Sequence, residues 1–155
     1  MNIEIVTLND EIKVIGLSHC LSGMPGTIES LYTMWEIYGE KYRNKIKNAA
    51  TPLVDYGINA NTLGAKHEYI AGCAVSQIDR LDINFVSYIV PPGKYIKHTC
   101  RNMEDLFKYE DDVKTWAEKN KIEIDGNYMV EVYPFGAFDK LDVEVYTLYP
   151  IKCFE

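Results

Sequence analysis

The sequence predicts an α+β fold in which duplicated β-α-β-β units form an antiparallel sheet, with two main helices on one face and a pocket between the repeats. Three observations predict it. Two stretches carry apolar residues at helical spacing, each is followed by two strand-like runs, and each is preceded by a strand–turn–strand pattern. In both halves a His and a Cys close together, His19-Cys20 and His98-x-Cys100, end the strand before the helix. The halves share almost no residue identity, so the repeat is one of pattern. A length of 155 residues suits one compact domain over 1–155, with repeat one at about 1–80 and repeat two at about 83–155. Helices on one face leave the other free, and that free face or the seam between repeats is where a pocket is expected.

Taken in order, 2–8 and 11–20 read as strands separated by the Asn9-Asp10 turn signal. Residues 21–26 contain two Gly and one Pro and read as a loop. A helix is expected to start near Thr27, whose hydroxyl can cap free backbone N–H groups. Its stripe is Ile28, Leu31, Trp35, Tyr38, Tyr42 and Ile46, and it should end near Asn48 because Pro52 follows. Strands are expected at 52–58 and 68–77, joined through 59–64, and again at 85–90 and 94–100 around Pro91-Pro92-Gly93. A second helix, capped by Asn102, is expected over about 103–120. Strands at 128–135 and 141–151, connected through 136–139, close the chain.

Composition narrows the function classes. The 16 basic and 23 acidic residues give a net charge of −7, with no basic stripe to neutralise phosphates, so neither nucleic acid nor an anionic membrane is an expected direct partner. Lys41, Arg43, Lys45 and Lys47 read as a solvated helix face. The four cysteines are dispersed, no signal peptide or long apolar run is visible, and free thiols in the cytoplasm are the expectation. No clustered ligands point to a metal, and nothing implies a cofactor. No nucleophile elbow, phosphate-binding glycine loop or His/Asp/Ser constellation is present. What stands out is aromatic content, 12 Tyr, 5 Phe and 2 Trp, which suits either a β-rich chain or a binding cavity.

The run Tyr128-Met-Val-Glu-Val-Tyr-Pro-Phe135 is the most informative. Side chains alternate across a strand. Val130 and Val132 therefore share one face, the expected packing surface under the helices, and Met129, Glu131 and Tyr133 share the other. Glu131 is then either an exposed strand residue or the single anion of an apolar wall, where it needs hydrogen bonds, a cation or a proton. Glu144, Tyr146 and Leu148 repeat the theme in the last strand, and Asp55 holds the matching place in the first half. Alternation alone does not decide which of the three acids is buried. Trp35 reads as a core residue or a pocket wall. Tyr69 lies beside Ala71, Gly72 and Ala74, small residues that leave space next to it.

Several of these segments together resemble the GyrI-like, AraC-type effector-binding domains of bacterial transcription activators. They are Leu31-Tyr-Thr-Met-Trp35, Glu68-Tyr-Ile-Ala-Gly-Cys-Ala-Val75, Val90-Pro-Pro-Gly-Lys-Tyr95, and the strands Val130-Glu-Val-Tyr133 and Val143-Glu-Val-Tyr146 before Pro150-Ile151. The resemblance spans essentially the whole chain and identifies it as a stand-alone member. It implies a pocket at the repeat interface for lipophilic, cationic small molecules, with Glu131 receiving the charge and Trp35 and Tyr69 as aromatic walls. Tyr133, Tyr146 and Met129 complete the expected ligand site. No helix-turn-helix segment is left once the domain is counted, so sensing or sequestration is expected without direct DNA contact. Two other functions stay open: a hydrolase of reactive small molecules with Glu131 as general base, the only catalytic candidate, and a protein-interaction modulator such as a topoisomerase regulator.

Overall fold

A computed structural model describes residues 2–19, 28–62, 67–135, 137 and 144–152. The loop expected at 21–26, the Thr27 cap, Cys20, Cys153 and most of the connection at 136–139 lie outside the described residues, as does 141–143 of the last expected strand.

Among the described residues, eight strands form one fully antiparallel sheet: β1 Asn2–Leu8, β2 Ile12–Ser18, β3 Asp55–Ala60, β4 Glu68–Val75, β5 Val86–Val90, β6 Gly93–Cys100, β7 Met129–Tyr133 and β8 Val145–Pro150. Their spatial order is β1-β6-β8-β7-β3-β4-β2-β5, which reads the same way from either end. The two halves meet where β3 pairs with β7. The leading strand of each half does not pair with its own half: β1 edges β6, and β5 edges β2. The strand–turn–strand patterns are therefore links between halves and not hairpins.

This exchange forces the sheet to curl. β5 and β6 stand six strand spacings apart in the sheet, roughly 29 Å if flat. Yet only Pro91 and Pro92 join them, a reach of about 11 Å. The curl closes through tyrosines: the Tyr95 hydroxyl donates to the Pro91 carbonyl at 2.6 Å and meets the Tyr128 hydroxyl at 2.8 Å, while the Tyr88 and Tyr128 rings lie 6.3 Å apart. Val14, Ile58, Ile70, Val130, Val132 and Leu148 fill the inside. The face expected to be free is thus a packed core. Val130 and Val132 point into the curl, and Glu131 points to the helices, the reverse of the sequence expectation.

The described helices lie on the outer face. α1, Ile28–Ile37, continues through a widened turn at Tyr38–Tyr42 and a tight 3₁₀ turn at Arg43–Lys45. Its Met34 and Trp35 pack on Ile15, Leu17, Tyr69, Ala71 and Tyr133. The second expected helix is divided at Tyr109 into α2, Met103–Lys108, and α3, Glu110–Lys119. Asn102 caps α2, accepting the Asp105 N–H at 3.0 Å. The acids Glu110, Asp111 and Asp112 suit a new helix N-terminus, which explains the restart. Val113 and Ala117 of α3 bury against Ile96 and Tyr149. No helix among the described residues is long and apolar enough to cross a membrane.

The widened turn after α1 has a visible use. It brings the Tyr38 hydroxyl to 3.0 Å from Asp55 Oδ1 and Arg43 onto both carboxylate oxygens, at 3.2 and 2.6 Å. Arg43 also stacks its guanidinium 4.9 Å from the Tyr38 ring centre. The Asp55 side chain is 8% exposed and that of Arg43 24%. Removing one partner of such a pair strands the other charge. Arg43→Ala is therefore expected to lower the unfolding free energy by about 3 kcal/mol, the low end for buried pairs because Arg43 is partly solvated. Urea titration checks this, and Asp55→Asn added to the variant should recover part of the loss.

Candidate functional site

One row of side chains crosses the outer face of the sheet beneath the helices. Strand registers place Leu17 beside Ala71, then Gly57, Glu131, Thr147, His98 and Ile3. Glu131 sits at the seam between halves, opposite Gly57, and is fully buried. The other two acids are elsewhere: Asp55 is paired with Arg43, and Glu144 is exposed.

Three neutral donors hold the Glu131 carboxylate. The Tyr69 and Tyr133 hydroxyls both donate to Oε1, at 2.8 and 2.5 Å, and the Asn59 amide donates to Oε2 at 2.9 Å. Trp35 on α1 extends the chain, its indole N–H donating to the Tyr69 hydroxyl at 3.0 Å. The Trp35 ring meets the Tyr133 ring edge-on at 5.4 Å and the Tyr38 ring at 5.5 Å. Tyr69 is fixed from below as well, because its backbone N–H donates to His19 Nδ1 at 2.7 Å. The donors are uncharged, and none of the ion pairs among the described residues involves Glu131.

The electrostatics follow. Burial pushes the Glu131 carboxyl above the usual carboxylate range, against the pull of Tyr133, Tyr69 and Asn59. Burial and the Glu131 charge in turn push the Tyr69 and Tyr133 phenols up, so both remain donors at any ordinary pH. The result is a carboxyl held by three neutral donors and, among the described residues, without an ion-pair partner, walled by rings.

Of the residues read from the sequence, Glu131, Trp35, Tyr69 and Tyr133 come together. Met129 lies two residues along the same face, with its sulfur 4.0 Å from the Asn59 amide nitrogen. Tyr146 does not join them. It pairs with Val132 on the inner face, beneath Lys97, whose Nζ is 4.4 Å from its ring centre, and Thr147 takes the place beside Glu131.

Two site residues escaped sequence reasoning. Asn59 belongs to β3 and not to the connection that follows it. Gly57 is the more telling, since a Cβ there would fall on the Tyr69 hydroxyl and 2.6 Å from Glu131 Oε1. A glycine inside a strand is the signal for such close approach. Beside this group, Asn59, Met129 and Tyr149 floor a cavity of about 570 Å³ walled by Phe107, Glu110 and Lys114 of α2 and α3. That volume suits a drug-sized ligand.

Comparison with known proteins agrees with this fold. The EcmrR C-terminal domain superposes with a TM-score of 0.75 at 13% identity, covering 99% of this chain and 98% of that one. SAV2435 bound to tetraphenylphosphonium gives 0.63 at 14% identity, covering 98% and 94%. An integron cassette protein from the mobile metagenome of Vibrio cholerae gives 0.60 at 15%, covering 98% and 97%. At these identities the likeness is one of fold. A comparison with curated protein sequences gives no match. The family model for Cass2, integron-associated effector binding protein, matches residues 4–150. The chain therefore belongs to the Cass2 family of integron-associated effector-binding proteins, and its function at the coarsest level is to bind a small-molecule effector.

Proposed function

We propose that the effector is a lipophilic cation received over Glu131. The observation that carries this reading is the contrast between two buried acids on one sheet face: among the described residues, Asp55 has its arginine and Glu131 has only neutral donors. A cation entering the site supplies the missing charge in a low-dielectric setting, where attraction is strongest. The Trp35 and Tyr133 rings add about 0.5–2 kcal/mol of cation–π attraction. Apolar contact contributes roughly 25 cal/mol per Å² before association costs, with little demand on ligand shape, so a range of flat or multi-ring cations is accommodated. The tetraphenylphosphonium carried by SAV2435 is a ligand of this class. Sensing or sequestering such compounds in the cytoplasm, in the service of a regulatory response, is the role we assign.

Methyltriphenylphosphonium and its neutral isostere 1,1,1-triphenylethane carry the same three rings and methyl group and differ in charge. Isothermal titration is expected to show the cation binding at least tenfold more tightly, a difference of about 1.4 kcal/mol. Equal affinity would remove charge from the recognition.

One observation favours a second reading: the upward-shifted Glu131 carboxyl is the kind of group that serves as a general base. Incubation with activated esters or epoxides, followed by mass spectrometry, tests it. Binding without turnover rejects hydrolysis.

A further inference from the structure

We infer that Thr147 and Tyr149 form a hydrogen-bonding half of the ligand site, so that the effector is a lipophilic cation bearing an acceptor oxygen close to its charge. This rests on the reading of Glu131 as the cation's partner and adds a second recognition element to it.

The buried polar groups around Glu131 are otherwise satisfied: the carboxylate has three donors, Tyr69 joins Trp35 to it, and Asp55 is held by Arg43 and Tyr38. Thr147 Oγ1 and the Tyr149 hydroxyl face each other on this side of β8, yet neither meets a partner at full hydrogen-bond geometry among the described residues. Thr147 is 0% exposed and Tyr149 4%. Both lie on the Glu131 side of β8, Thr147 directly across from the carboxylate residue. His98, on the other flank of Thr147, turns Nε2 to within 3.4 Å of the Cys100 thiol. Valine and phenylalanine would fill these two positions with the same shape and no stranded hydroxyl, and valine suits a strand at least as well as threonine. Hydroxyls that cost the free protein stability are explained if they are used when the site is filled.

Position defines the ligand. Residues opposite each other on antiparallel strands are about 5 Å apart, and Tyr149 stands about 7 Å further along the strand. Its ring also floors the 570 Å³ cavity beside Met129 and Asn59, which offers room for an aryl group carrying the oxygen. A hydroxyl donor on each of two adjacent residues recognises an ether or carbonyl oxygen one aryl ring away from the cationic centre.

Two probes separate the acceptor from everything else: (4-methoxyphenyl)triphenylphosphonium and its (4-ethylphenyl) counterpart, equal in charge and nearly equal in shape. The methoxy compound is expected to bind the intact protein about 5–10-fold more tightly. In the Thr147→Val/Tyr149→Phe double variant the ratio should fall to about one, because the methoxy compound loses its advantage. A ratio of one in the intact protein, with both compounds bound, overturns the acceptor assignment and leaves the charge reading standing. Failure of both to bind defeats the charge reading, and the assignment falls with it. Thermal melts give a ligand-free check. Each single variant should melt at or above the parent, and a fall would show that the hydroxyls are already satisfied, which also overturns the assignment.

Discussion

Glu131→Gln is expected to weaken a lipophilic cation by about 10–100-fold while leaving a neutral compound of the same shape within about twofold. That is about 1.4–2.8 kcal/mol, the low end of the roughly 2–5 kcal/mol lost when one partner of a buried charge pair is truncated, because glutamine keeps the size and most of the hydrogen bonds of the parent. Matched titrations of methyltriphenylphosphonium and 1,1,1-triphenylethane read the two effects separately. Equal loss for both compounds would show that the residue shapes the site without reading charge. The variant also isolates the acid's effect on stability. Because burial raises the carboxyl in the folded state, ionisation is easier in the unfolded chain. The folded state carries no penalty below the unfolded value near 4.3. The penalty grows as pH climbs from there to the raised folded value and is constant above it. Stability measured against pH should therefore fall through that window in the parent relative to Glu131→Gln. Over the same window cation affinity should rise and then level off, with proton release on binding that the variant lacks.

Gly57→Ala is the second large effect, and it comes from a single methyl group. Its carbon would be placed on the Tyr69 hydroxyl and 2.6 Å from Glu131 Oε1, so at least one of the two must retreat. Overpacking costs about 1–3 kcal/mol, and a weakened hydrogen bond to a buried charge about 1.5–3 more. A loss of about 2.5–6 kcal/mol in denaturant unfolding is expected, together with weaker cation binding. The same change tests the geometry of the centre, because a tolerated alanine would mean that the acid and Tyr69 are not packed against the β3 backbone.

Much of this was legible in the residues themselves. The two stripes at spacing three and four marked the helices, alternating runs marked the strands, and Met129, Glu131 and Tyr133 were correctly set on one face. Which face that was could not be read. Alternation identifies the residues that share a side of β7, but Val130 and Val132 look no more core-like than Met129 and Tyr133 when both sides are buried, as the curl makes them. The curl depends on β1 and β5 each pairing with the opposite half, and nothing local to Asn9-Asp10 distinguishes that from a hairpin. Tyr146 was misplaced for a related reason. Its neighbour in space is fixed by the β7–β8 register, and the register depends on a connection whose length in strand and turn the sequence leaves open. Asn59 was hidden because an Asn next to Ala-Asn-Thr reads as turn, although it shares parity with Asp55 and Gly57.

The exchanged edge strands also limit how the molecule can yield. With β1 laced onto the second half and β5 onto the first, the two halves are fastened together on both flanks of the sheet and cannot swing apart like jaws. The central acid is enclosed nonetheless. On the binding reading proposed above, a guest then enters from the helix side, through the cavity that Phe107, Glu110 and Lys114 wall above Asn59, Met129 and Tyr149, over a floor that the strand exchange holds in place.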